Sequence, residues 1–76
     1  MPNNAEYRWT KPKMARFVGH LYQFGSVTAA ARTVGMSRQS AYVRARRDPD
    51  FCFLWDSAIR LFHERRIAQI IASNGR

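Results

Sequence analysis

Residues 25–47 read GSVTAAARTVGMSRQSAYVRARR, and the way this stretch must be punctuated decides the fold. Ser26 has the short hydroxyl side chain that caps a helix N-terminus. Val27, Ala30, Ala31 and Val34 follow at the spacing of one buried face. Ala31 is small, as a close crossing of two helices requires. Gly35 can take the positive φ that ends a helix, Met36 can fill the space between two helices, and Ser37 can cap the next one. From Arg38 to Arg47, Ala41 and Ala45 point one way. Gln39, Val43 and Arg46 point the other, with Arg38, Tyr42 and Arg47 on the flanks. The stretch therefore predicts two short helices joined by a tight turn, the second with an exposed polar face.

Outward from this stretch the chain continues in helical register. Thr10 is the expected cap of a preceding helix, Pro12 suits its first turn, and Met14, Phe17, Val18, Leu21 and Phe24 repeat along one side until Gly25 ends it. Gly19, costly inside a helix by about 1 kcal/mol relative to alanine, is expected to mark a close helix approach. Residues 1–9 are largely polar, carry Arg8 and Trp9 without helical periodicity, and read as a flexible arm. Downstream, Pro49 stops the ladder, and Asp50 is the expected cap of a fourth helix ending near Asn74 and Gly75. Phe51, Leu54, Trp55, Ala58 and Phe62 form a stripe that can close over the other three helices.

A second stripe, Ile59, Phe62, Ile67, Ile70 and Ile71, runs past what so small a core can cover and predicts self-association, with a homodimer as the expected state. The less favoured alternatives are a helix that bends back or frays at Arg65 and Arg66, leaving a monomer, and attachment of this helix to a membrane surface. The expected fold is all-α: a three-helix core plus a long C-terminal helix, without strands. The expected divisions are residues 1–9 (arm), 10–56 (core) and 57–76 (C-terminal helix).

The formal net charge is +8, and its placement says more than its size. No Asp or Glu occurs from Tyr7 to Arg47, where nine basic residues lie: Arg8, Lys11, Lys13, Arg16, Arg32, Arg38, Arg44, Arg46 and Arg47. Beyond, Asp48, Asp50, Asp56 and Glu64 balance Arg60, Arg65, Arg66 and Arg76. Such asymmetry is the footprint of a polyanion binder. Cys52 is the single cysteine, so no disulfide framework is available and a reducing cytosol is the expected compartment. Neither a signal peptide nor a membrane span is expected. His20, His63, Cys52, Asp56 and Glu64 are the candidates for chemistry, but none falls at a catalytic or metal-ligating spacing. The chain reads as a non-enzyme that uses no cofactor or metal.

The glycine–serine–x–threonine–alanine run from Gly25, followed by Gly35, Met36 and Ser37, resembles the helix-turn-helix of LysR-type regulators. More closely, Arg38, Ala41 and Tyr42 at the opening of the second helix resemble the homeodomain-like helix-turn-helix of phage terminase small subunits and related small bacterial and phage DNA-binding proteins. The resemblance spans at most residues 17–55. The chain departs from the LysR pattern in placing Arg44 where an apolar residue is usual, and an effector-binding domain is not expected.

The resemblance implies binding to double-stranded DNA, with the second helix of the motif in the major groove. Arg38, Gln39, Val43 and Arg46 would then read bases, since arginine can grip guanine, glutamine can pair with adenine, and a valine can meet a thymine methyl. Ser26, Thr28, Arg32, Ser37, Ser40, Tyr42, Arg44, Arg47, Lys11 and Lys13 would serve phosphates. Arg8 could enter an adjacent minor groove. The expected role is a small, nucleoid-associated transcriptional regulator. The alternatives are a packaging subunit of the terminase type and an adaptor whose C-terminal helix docks on another protein.

Overall fold

The computed structural model describes residues 8–74, with the side chain of Asn74 excepted. Residues 1–7 of the expected arm and the expected terminator Gly75 lie outside the described residues. Four helices follow in chain order: α1 (Lys11–Phe24), α2 (Val27–Thr33), α3 (Arg38–Arg47) and α4 (Pro49–Asn74). The fold is all-α, and no strand occurs among the described residues.

Local punctuation accounts for each boundary. The Lys13 amide donates to Thr10 Oγ1 at 3.3 Å, and Gly25, at φ 70°, closes α1 by donating to the Leu21 carbonyl. Ser26 Oγ accepts from the Ala29 amide at the start of α2. At its end the Met36 amide reaches the Ala31 carbonyl (2.9 Å) and the Gly35 amide the Arg32 carbonyl (3.1 Å). With Gly35 at φ 70°, this pair of bonds is a Schellman motif. Ser37 Oγ then accepts from the Ser40 amide to start α3.

The cap of α4 is Asp48, not Asp50. Asp48 Oδ1 accepts from the Phe51 amide at 3.1 Å, and Pro49 takes the first helical position, where a missing N–H costs nothing and φ is already set. Asp50 lies inside the first turn, its charge favourably placed at the positive end of the helix.

The core is formed by Phe17 and Leu21 of α1, Ala30, Ala31 and Val34 at and after α2, Ala41 of α3, and Phe51, Trp55 and Ala58 of α4. The alanines let α2 and α3 approach a cluster of rings: Phe17 lies 5.0 Å from Trp55 and 5.5 Å from Phe51. Trp9 joins this cluster, its ring 5.3 Å from both Phe17 and Phe51. The last residue of the expected arm is thus part of the folded unit. Gly19 corrects a second expectation: a Cβ there would meet no atom within 4 Å, so it marks no helix contact. The close approach is at Gly25, where a Cβ would run into the Phe62 ring. Leu54, expected in the stripe that closes the core, is 47 % exposed.

α4 is one unbroken helix of 26 residues, about 39 Å long at 1.5 Å per residue. It crosses the expected division at residues 56 and 57 and is not interrupted at Arg65 and Arg66. Its first half covers the core. Ile59 packs partly buried against that core and Phe62 lies on Gly25, so both are used within the chain. Arg65 then ties the helix down: one guanidinium nitrogen donates to the Tyr22 and Gln23 carbonyls at 2.9 and 3.0 Å, and the guanidinium lies over the Tyr22 ring. These carbonyls are among those that the end of a helix leaves without partners. Beyond Arg65 the helix runs free of the core, and Ile67, Ile70 and Ile71 are 50–64 % exposed. No helix among the described residues is long and apolar enough to cross a membrane.

Candidate nucleic-acid interface

α3 is held from behind and open in front. Ala41 is fully buried, Ala45 is packed against the core, and the Tyr42 ring rests 4.9 Å from Trp55. The helical period that turns the two alanines inward turns Arg38, Gln39, Val43, Arg46 and Arg47 outward, all five exposed, while Tyr42 stands on the flank, its ring on Trp55 and still 41 % exposed. Arg38 leans over the Tyr42 ring at 5.7 Å. The helix contains no acidic residue, so its outer face offers donors, one apolar side chain and positive charge.

The serines expected to meet phosphates have structural employment as well. Ser26 and Ser37 accept backbone amides at the starts of α2 and α3, and Ser40 Oγ accepts from the Trp9 indole N–H at 2.7 Å. Each hydroxyl keeps its own proton to donate. Thr28 and Arg32 lie one turn apart on α2, both exposed. Lys13 Nζ sits 4.0 Å from Met36 Sδ, beside the turn between α2 and α3. Lys11 is placed differently: it lines a groove with Asp48 and Asp50 to which α3 contributes nothing. The structure thus gathers most of the expected phosphate residues around α2, α3 and their turn and sets Lys11 apart.

Arg44 is committed in part. Its guanidinium bridges to Asp48 Oδ2 at 3.2 Å, while its Nε is buried without a partner. The Asp48 carboxyl is held below the usual carboxylate range, first by the Phe51 amide that it accepts and then by Arg44. A carboxylate that receives hydrogen bonds in its charged form gives up that charge less readily.

Sequence reasoning missed the role of Trp9. Its indole N–H fastens the chain before α1 to α3, so the exposed Arg8 lies along the flank of α3. The signal was present: an apolar residue just before the cap Thr10, with Met14 four positions into the helix, is the pattern of a hydrophobic staple. No group of His, Cys, Asp and Glu among the described residues could hold a metal ion. His20 stacks on Phe24 with ring centroids 4.6 Å apart, and Cys52 Sγ lies 3.9 Å from Asp56 Oδ2 one turn along α4.

No family model matches the chain, and no curated protein or solved structure matches it.

Proposed function

We propose that the chain binds double-stranded DNA sequence-specifically, with α2 and α3 acting as a helix-turn-helix and α3 entering the major groove. The carrying observation is the two-sidedness of α3: a back fixed by Ala41 and Ala45 against the core, and a front on which Arg38, Gln39, Val43 and Arg46 stand exposed. A rigid support matters because base discrimination depends on bidentate hydrogen bonds, each good pair being worth about 1–3 kcal/mol against a wrong base. The acid-free run from Tyr7 to Arg47 supplies the sequence-independent attraction to phosphates.

The reading extends to a homodimeric transcriptional regulator. The exposed residues Ile67, Ile70 and Ile71 lie beyond the chain's own core, and a second copy would cover them while presenting two readers to two half-sites. The same exposed residues favour, as the second reading, an adaptor whose α4 docks on a different protein. A terminase-like packaging subunit would share the α3 chemistry in a larger assembly. Fluorescence anisotropy with a labelled duplex over a salt series tests the activity: log affinity should fall linearly and steeply with log salt. Affinity that is absent, or indifferent to salt, overturns the reading.

A further inference from the structure

We infer that Arg8 and Arg47 clamp a single DNA backbone phosphate in the cleft between the chain before α1 and the flank of α3. The inference rests on the DNA-binding reading above and adds to it a site, two ligands and a positioning residue.

The cleft is open, about 460 Å³, and three arginines line it: Arg8, Arg44 and Arg47. Gln39 and Val43 of the proposed reading face border it as well, so a phosphate held there would lie beside the bases those residues meet. The charge balance selects the ligands. Asp48 is bridged to Arg44, which leaves Arg8 and Arg47 as the cleft's cations without a carboxylate partner among the described residues. Two guanidinium groups facing one open, solvent-filled space repel each other, and an oxyanion between them turns that repulsion into two charge-assisted hydrogen-bond pairs. Ser37 and Ser40, at the start of α3, add hydroxyl protons on the same wall.

Arg8 is brought there by its neighbour. The Trp9 ring is packed against Phe17 and Phe51 while its N–H is bonded to Ser40 on α3 itself. That bond joins residues 31 apart in sequence. Trp9 is therefore a positioning residue, and Arg8 is delivered to the flank of the reader helix instead of extending into an adjacent minor groove.

The test is the salt slope of binding to a mixed-sequence labelled duplex, measured for the intact chain, Arg8→Ala, Arg47→Ala, the double variant and Trp9→Phe. One neutralised phosphate contributes about 0.9 to the slope. Arginines sharing one phosphate should lower the slope by less than this singly and by about this amount together. Trp9→Phe keeps an aromatic ring in the core but loses the N–H, and should shift the slope as Arg8→Ala does while the far-ultraviolet circular dichroism stays unchanged. A double variant that loses about two contacts, or an Arg8→Ala variant with an unaltered slope, overturns the clamp and leaves the DNA-binding reading standing. An intact chain with no salt-dependent binding removes that reading and the clamp with it. Titration with inorganic phosphate, followed by the Trp9 indole proton resonance, separates the sources: saturation by the free anion alongside an unaltered Arg8→Ala slope would make this a small-anion site and overturn the backbone assignment.

Discussion

The Phe62 ring occupies the space in which residue 25 would carry a Cβ, so α4 and the end of α1 meet at a point that only glycine fits. Gly25 also sits at φ 70°. Gly35 shares that φ but faces open space, and Gly19 has neither constraint. Three alanine substitutions should separate the effects. Gly19→Ala should stabilise by about 0.5–1 kcal/mol through helix propensity. Gly35→Ala should cost about 1 kcal/mol from backbone strain alone. Gly25→Ala adds a steric clash and should cost about 2–4 kcal/mol. Denaturant midpoints would rank them, and a Gly25→Ala midpoint equal to that of Gly35→Ala would contradict the Phe62 contact.

Arg65 closes the end of α1 from another helix. Arg65→Ala should cost about 1 kcal/mol, the net worth of such hydrogen bonding, and should speed amide exchange in the last turn of α1. Arg65→Lys should recover only part, since an ammonium lacks the planar group that lies over Tyr22. Equal stability of the alanine variant and the parent would show that the bond adds nothing.

Acid should release the corner between α3 and α4. The Asp48 pKa is lower in the folded chain than its ordinary value, so its contribution is fully present above the ordinary Asp titration near about pH 4. The contribution is lost as pH falls through the lower folded value. Asp48→Asn retains a capping acceptor without the charge. The parent's advantage over this variant in thermal unfolding should therefore hold near neutral pH and shrink toward about pH 3. An advantage independent of pH would mean that the charge at residue 48 is irrelevant.

The free end of α4 predicts the assembly. Ile67→Glu with Ile71→Glu should leave folding stability within about 0.5 kcal/mol, because both residues are exposed. The same change should convert a dimer to monomers in sedimentation equilibrium. A parent chain that is already monomeric would favour the adaptor reading of the same surface.

Local signals were the legible ones. Thr10, Ser26, Gly35 and Ser37 act within three or four residues of themselves, and the helix boundaries around them are where the sequence placed them. The cap of α4 is ambiguous in the sequence because Asp stands on both sides of Pro49, and proline's preference for the first helical position decides for Asp48. Gly19 was misread for Gly25 because a close approach depends on which distant ring arrives, here Phe62. Trp9 and Arg65 were missed for a related reason: their partners lie 31 and more than 40 residues away. On α3, the alternation of alanine with polar residues was enough to place Arg38, Gln39, Val43 and Arg46 outside. The sharing of a cleft by Arg8 and Arg47 depends on the Trp9 bond and was invisible without it.

Selection from a randomised duplex library, comparing the intact chain with an Arg38→Ala, Gln39→Ala, Arg46→Ala variant, tests the central claim most directly. The account predicts enrichment of a defined motif by the intact chain, and a variant that loses the motif while keeping salt-dependent affinity for any duplex. Equal, sequence-blind binding by both proteins would contradict α3 as the reader.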